Sequence, residues 1–155
     1  MDSRGIKNLK PSNKSRYKQG YINPKSCTKL FESQRNEKII YRSSYEKRFI
    51  MWLEKSGKVL HWGSECVCIH YTGADGQPHH YYPDYVVEFT DGTKSLIEIK
   101  PYNQTVKPDP RCQWAVEEFK KNMLKWTAAK AFCERNGMSF KILTEHTINR
   151  LPLES

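Results

Sequence analysis

Apolar side chains first recur at helical spacing shortly after residue 40 of the chain. Tyr45, Phe49 and Leu53 fall on one face of a helix that would begin after Ser43. Gly57 follows the last of these positions and is typical of a helix end. The pattern therefore predicts an amphipathic helix here, and a glutamate three residues after Ser43 adds the sequence of a capping box.

Strand-like and helical stretches alternate over the rest of the chain. Strands are predicted at about 58–71 (bent at Gly63-Ser64), 81–89, 95–100 and 139–144, and a long helix at 113–136. Asp91-Gly92 is a strong hairpin signal between the second and third strands. Hairpin strands are antiparallel, whereas a helical crossover joins parallel strands. The order therefore predicts an α/β fold with a three-stranded antiparallel meander in a mixed sheet.

Residues 1–38 differ from the rest in composition. The chain has 155 residues and a net charge of +9. Residues 1–48 contain 13 Lys and Arg against four Asp and Glu, whereas residues 49–155 contain 13 of each. We interpret 1–38 as a basic, partly flexible N-terminal arm and 39–155 as the domain. Such an arm favours a nucleic-acid partner, and a solvated tail without a partner is the alternative.

Composition excludes several classes of protein. Hydrophobic residues make up 37% and charged residues 28% of the chain, which is typical of a globular domain and not of a membrane, collagen-like or fully disordered protein. The first residues lack the apolar stretch of a signal peptide, so we expect a cytoplasmic protein.

The five cysteines are predicted to be reduced thiols. Their number is odd and their density low. A zinc site is the alternative, with histidines as additional ligands, but no CxxC or HxxxH spacing supports it. Cys66 and Cys68 lie two apart in a predicted strand and can simply pack on one face. The candidate ligands are Cys27, Cys66, Cys68, Cys112, Cys133, His61, His70, His79 and His80.

Two acidic residues and a lysine carry the candidate chemistry. Glu98 and Lys100 alternate along a strand, so both side chains leave the same face of the sheet. Pairing through the Asp91-Gly92 turn would bring Asp84 near Glu98. Two carboxylates form an oxygen-rich site that suits Mg²⁺ or Mn²⁺, and the ammonium group of Lys100 can orient a water or stabilise phosphate charge. A salt-bridge ladder on an exposed sheet face is the alternative.

The spacing of these residues resembles the motif of the PD-(D/E)XK nuclease superfamily. The sequence has Pro83-Asp84, thirteen intervening residues and then Glu98-Ile99-Lys100. The resemblance implies a restriction-endonuclease-like core, with Asp84, Glu98 and the Ile99 carbonyl holding Mg²⁺ or Mn²⁺ and Lys100 assisting hydrolysis. It also implies a glutamate on the preceding helix, and Glu46 matches it as a catalytic residue near the metal. The capping box described above is the alternative role for Glu46.

A narrower resemblance covers nearly the whole chain. It rests on 42–49 (RSSYEKRF), 61–65 (HWGSE), 82–85 (YPDY), 97–101 (IEIKP) and Lys125-Trp126. These segments are similar to the head completion nucleases of T-even-like tailed phages, which are themselves similar to TnsA-type nucleases. The resemblance implies DNA as substrate, action on a filled phage head before tail attachment, and head, portal or neck proteins as partners. It also implies a location in the host cytoplasm or in the virion.

Eight further residues are candidates for DNA contact. The candidates are Arg4, Lys7, Lys10, Lys14, Arg16 and Lys18 of the arm, and Gln104 and Lys107 after the third strand. An ordinary solvated loop is the alternative for the last two. Two other functions also fit the sequence: a non-catalytic DNA-binding protein that plugs the phage head, and a transposon-end-cleaving nuclease subunit.

Overall fold

The computed structural model describes residues 19–153. Over this range the chain forms eight strands and three α-helices. The strands are β1 (Gly20–Ile22), β2 (Ile39–Tyr41), β3 (Val59–Ser64), β4 (Ile69–Thr72), β5 (Pro78–Tyr81), β6 (Tyr85–Phe89), β7 (Lys94–Ile99) and β8 (Ser139–Leu143). The helices are α1 (Ser44–Lys55), α2 (Gln113–Arg135) and α3 (Glu145–Ile148). None of these helices is long and apolar enough to span a bilayer.

A four-stranded mixed sheet lies at the centre of the fold. Its order is β3-β6-β7-β8. The first three strands are antiparallel, and β8 runs parallel to β7 after the crossover through α2. Gly92 takes φ of +89° in the β6–β7 turn, a conformation that other residues rarely adopt. The predicted meander, the crossover helix and the restriction-endonuclease-like α/β class are confirmed.

Both faces of this sheet are covered. On one face, α1, α3 and the N-terminal segment bury Phe49, Leu53 and Tyr85. On the other face, α2 and the β4–β5 hairpin bury Leu96 and Trp126. Successive residues of β6 and β7 alternate between the two cores, because strand side chains point alternately to opposite faces. Polar residues at the end of these strands therefore lie at the border of two apolar layers.

The first two predicted strands are each divided in the structure. The segment 58–71 breaks at residues 65–68, where Glu65 takes a positive φ of 49°, and 81–89 breaks before Tyr85. The segments beyond the breaks, β4 and β5, pair with each other as a separate hairpin. This hairpin leaves the central sheet and packs against α2.

Residues 20–38 belong to the domain, so the predicted arm boundary at residue 38 is too late. β1 pairs with β2, and Cys27 and Leu30 are buried in the first core. Gln34 is 1% exposed, and its side-chain amide exchanges two hydrogen bonds with the main chain of Ser64 at 2.7 and 2.8 Å. The sequence did not indicate these contacts, because the segment is polar and contains few apolar side chains. The predicted DNA-contacting residues at positions 4–18 lie outside the described residues.

Candidate active site

The register of β6 and β7 brings the two predicted acidic residues together. Tyr85 pairs with Ile97, so Asp84 and Glu98 occupy the next opposed positions, beyond the last pair of the ladder. Oδ2 of Asp84 accepts a hydrogen bond of 2.8 Å from the Ile99 amide. The strand that carries Glu98 thus also orients Asp84. The predicted approach of these two carboxylates is confirmed.

Glu98 is buried, and Lys100 lies beside it. The glutamate is only 6% exposed because α2 and the hairpin cover its face of the sheet. Its Oε1 accepts a hydrogen bond of 2.9 Å from the Tyr81 hydroxyl, and Oε2 lies 3.9 Å from Lys100 Nζ. The alternative of a ladder on an exposed sheet face is therefore wrong. Burying an acid here costs free energy that an exposed ion pair would not require.

The two acidic groups of the site are buried close to each other. Burial raises the pKa of Asp84 well above its usual value, and repulsion from Glu98 adds to the rise. Burial also raises the pKa of Glu98, although the positive charge of Lys100 and the Tyr81 hydroxyl oppose this rise. Both carboxyl groups thus hold protons more tightly than exposed acids do, and a bound cation would remove that penalty.

Glu46 enters the site from the N-terminus of α1 and also caps the helix. The Ser43 hydroxyl accepts a hydrogen bond from the Glu46 amide at 3.2 Å. The Glu46 carboxylate reaches back one residue further than predicted and accepts from the Arg42 amide at 2.9 Å. The pKa of Glu46 is raised to about 8, mainly by burial and secondly by repulsion from Asp84. The two proposed roles of Glu46 are therefore compatible, because its capping carboxylate also feels the charge of Asp84.

An open groove of about 200 Å³ adjoins these residues. Glu46, Ile99, Lys100 and Gln104 are among the residues that line it. Gln104 is thus brought next to the predicted catalytic residues. Lys107 lines a different surface depression together with Pro108 and Pro110, so the structure does not bring it to this groove.

Two polar neighbours of the site were missed by the sequence reasoning. Arg42 Nη1 and Glu65 Oε1 form an ion pair of 2.7 Å, and the Glu65 amide donates to the Asp84 carbonyl at 2.9 Å. The charge of Glu65 contributes to the raised pKa values of Glu46 and Asp84. Both residues lie within the segments used for the phage-nuclease resemblance, but their spacing alone indicates no contact.

Tyr81 and Lys125 were missed for the same reason. The Lys125 ammonium group lies 5.6 Å from the centre of the Tyr81 ring. Burial lowers the pKa of Lys125, and the positive charges of Lys121 and Lys100 lower it further. A second lysine thus stands close to the buried Glu98, whose own charge acts in the opposite direction. Tyr81 contacts both residues, because its hydroxyl donates to Glu98 and its ring lies near the Lys125 ammonium group.

The donor set fits a divalent cation that prefers oxygen ligands. Asp84 and Glu98 offer buried carboxylate oxygens of raised pKa, which is the environment that a hard cation such as Mg²⁺ stabilises. Glu46 adds a third carboxylate whose pKa responds to Asp84. The residues present therefore fit a divalent metal ion.

The match to known proteins agrees with this geometry. The sequence profile of the family described as TnsA-like endonuclease N terminal matches residues 56–145, more than half of the chain. The chain therefore belongs to the TnsA-like, PD-(D/E)XK-type nuclease family.

A particular relative is similar over a longer stretch. The chain is 36% identical over 126 residues to the head completion nuclease of Enterobacteria phage T4. The match covers 74% of this chain and 84% of that protein. Asp84, Glu98 and Lys100 fall inside the family match, whereas Glu46 precedes it. The assignment of Glu46 thus depends on the geometry at the start of α1.

Proposed function

We propose that this protein is a metal-dependent DNA endonuclease that hydrolyses phosphodiester bonds at the Asp84–Glu98–Lys100 site. One observation carries the proposal: two buried carboxyl groups of raised pKa meet at the ends of β6 and β7, with a lysine ammonium group 3.9 Å from one of them. A purely structural role does not explain this arrangement, because burying two acids together opposes folding.

Asp84 and Glu98 would hold Mg²⁺, or Mn²⁺ in its place, with the Ile99 carbonyl as a further ligand and Glu46 acting through a water. When bound, the metal polarises the phosphate and lowers the pKa of an attacking water. Tyr81 keeps the Glu98 carboxylate in place through its hydroxyl hydrogen bond.

Lys100 and the groove act on the substrate. Lys100 and Gln104 both line the groove, and the Lys100 ammonium group would orient the attacking water and stabilise charge on the scissile phosphate. Gln104 would contact a neighbouring phosphate through its amide. In the net reaction the water oxygen would form a new bond to phosphorus and lose a proton, while the bond from phosphorus to the leaving oxygen breaks and that oxygen takes up a proton.

The biological setting is proposed from the phage relative. We infer that the protein acts in completing a phage head, after DNA packaging and before tail attachment, in the host cytoplasm or within the virion. The similarity to the T4 head completion nuclease over 74% of the chain supports this setting. Head, portal or neck proteins would then be its partners.

Cleavage of supercoiled plasmid tests the activity and its site together. We expect nicking or linearisation with Mg²⁺ or Mn²⁺, none with EDTA, and none with folded Lys100→Ala protein. Lys94→Ala is the matched control, since Lys94 lies at the other end of β7 and contacts Glu88 instead. DNA retention without metal-dependent cleavage would instead favour a non-catalytic protein that plugs the head.

A further inference from the structure

A cysteine and two histidines converge at the β4–β5 hairpin, which forms a sheet separate from the one that carries Glu98. His70 and His80 are directly opposed in the antiparallel ladder, and their ring centres are 4.6 Å apart. Cys68 precedes His70 by two residues. One ligand atom from each of the three side chains lies within 4.8 Å of the other two. Within residues 19–153, no other group of three or more Cys, His, Asp or Glu side chains is gathered this closely.

The chemistry of these three donors selects a different metal from the carboxylate site. One thiolate and two imidazoles suit Zn²⁺, whereas Mg²⁺ prefers oxygen. Zinc–nitrogen bonds of about 2.0–2.1 Å and zinc–sulfur bonds of about 2.3 Å require tetrahedral ligand atoms roughly 3.3–3.6 Å apart. In the structure the three ligand atoms lie within 4.8 Å of one another, a slightly wider limit than these tetrahedral distances. Small side-chain rotations would therefore bring them to the distances that zinc requires.

Access and surroundings also fit a metal site. His70 and His80 are exposed, so an ion can reach them from solvent. None of the five cysteines, all within the described residues, forms a disulfide. Three protein ligands leave a fourth position for water, which is common in zinc sites that are not fully closed.

We propose that Cys68, His70 and His80 bind Zn²⁺ and that the ion cross-links the two strands of the β4–β5 hairpin. Ile69 and Tyr81 lie next to these ligands, face inward and are paired with each other. The outward face of the hairpin would thus bind zinc while its inward face contributes Tyr81, whose hydroxyl donates to Glu98. The zinc site does not depend on the nuclease proposal. Only its link to Glu98 through Tyr81 rests on that proposal.

Cobalt titration of the full-length, reduced and metal-free protein tests the site directly. Co²⁺ replaces Zn²⁺ in such sites, and a cobalt–thiolate bond absorbs in the near ultraviolet. With excess Mg²⁺ present to occupy the carboxylate site, we expect one thiolate-bound Co²⁺ per chain, displaced by one equivalent of Zn²⁺. Cys68→Ser should abolish the absorption, and His70→Gln and His80→Gln should weaken binding by at least about 100-fold.

Neighbouring residues supply the controls. His79→Gln should bind Co²⁺ like the parent, because His79 precedes His80 and contacts Asp75 instead. Asp84→Asn should also keep the cobalt–thiolate absorption, which separates failure of the zinc site from failure of the carboxylate site. Zn²⁺ should raise the Tm of the parent and of both controls, but not that of Cys68→Ser.

Three results would overturn the proposal. The first is no Co²⁺ or Zn²⁺ binding by the reduced parent protein. The second is binding without thiolate absorption. The third is equal binding by the parent and by the Cys68, His70 and His80 variants, which would place the ion elsewhere.

Discussion

The Ile99 amide donates its hydrogen bond to the Asp84 carboxylate rather than to a main-chain carbonyl of β6. Tyr85 and Ile97 are the last paired residues of the β6–β7 ladder, so Asp84 extends the ladder with its side chain. The carboxylate is therefore positioned by the backbone of the strand that carries Glu98. Small displacements of β7 relative to β6 would change the separation of the two acids.

Neutralising Asp84 should remove activity and stabilise the metal-free fold. Asp84→Asn keeps an oxygen that can accept from the Ile99 amide but removes a buried charge that repels Glu98. We expect cleavage at background level and, in metal-free buffer at pH 8, a Tm higher by a few degrees, the rise that about 1 kcal/mol produces in a domain of this size. Plasmid cleavage and calorimetry measure the two effects.

Asp91→Asn is the control for the loss of a carboxylate. Asp91 is exposed in the β6–β7 turn and accepts hydrogen bonds from Thr93. This variant should cleave normally. An Asp84→Asn protein that retains full metal-dependent cleavage would contradict the assigned site.

Removing the Lys100 ammonium group should slow cleavage much more than it weakens binding. Lys100→Met keeps most of the aliphatic side chain but loses the charge next to Glu98. We expect the single-turnover rate to fall by about 10²–10⁴-fold, the range typical of lost proton-transfer or water-orienting groups. Affinity for DNA should change by less than about fivefold. A large loss of affinity with an unchanged single-turnover rate would assign Lys100 to binding alone.

Glu46 should make the stability of the metal-free protein fall as the pH rises. The unfolded chain loses this proton near pH 4.5, whereas the folded protein keeps it to about pH 8. The folded state therefore binds the extra proton in this window, and the stability it provides is lost as pH rises through the window. Glu46→Gln should flatten the dependence of Tm on pH.

Calorimetry across this pH range in EDTA measures the effect. Glu134→Gln, at an exposed position of α2, should leave the slope of the parent unchanged. Equal slopes for the parent and Glu46→Gln would mean that Glu46 is ionised throughout.

Removing residues 2–18 should reduce the salt dependence of DNA binding without unfolding the domain. This segment contains six Lys and Arg, whereas β1 begins at Gly20. Each phosphate contact contributes about 0.9 to the slope of log affinity against log salt concentration, so the slope should fall by as much as about 5. Binding by fluorescence anisotropy at several salt concentrations measures this slope.

A charge-matched variant separates charge from chain length. Replacing the six basic residues with glutamine should have the same effect as truncation. An unchanged slope in both proteins would show that the segment makes no phosphate contacts.

Truncating Gln34 should destabilise the fold although the residue is polar. Gln34→Ala leaves the main-chain amide and carbonyl of Ser64 without their side-chain partners. Each buried unsatisfied group costs about 1–3 kcal/mol. Urea unfolding should show a loss of about 2–6 kcal/mol, the sum for the two groups. Ser33→Ala, at an exposed neighbouring position, is the control and should remain within about 0.5 kcal/mol of the parent.

The sequence predicted the site best where one local rule determined the geometry. The Asp91-Gly92 turn determines the β6–β7 register, and that register opposes Asp84 and Glu98. The spacing of Ser43 and Glu46 likewise predicted the start of α1. Both relationships span few residues and need no knowledge of distant packing.

Contacts between distant segments were not predictable in the same way. The burial of Gln34 depends on Ser64, 30 residues away. On α2, Trp114 is large and aromatic but 72% exposed, whereas the polar Asn122 is buried together with Cys133. The hairpin and the sheet determine which face of α2 is covered. A pattern within one helix does not contain that information.

The segment containing Gln34 also has a consequence for how copies of this protein meet. β3 forms one edge of the central sheet. Its Trp62 already forms main-chain hydrogen bonds with Lys29 and Phe31, and the main-chain groups of Ser64 are hydrogen-bonded to the Gln34 side chain. This edge cannot recruit a strand from another molecule. Aggregation by extension of the sheet would have to use β8, where exposed Lys141 places a positive charge that disfavours such pairing.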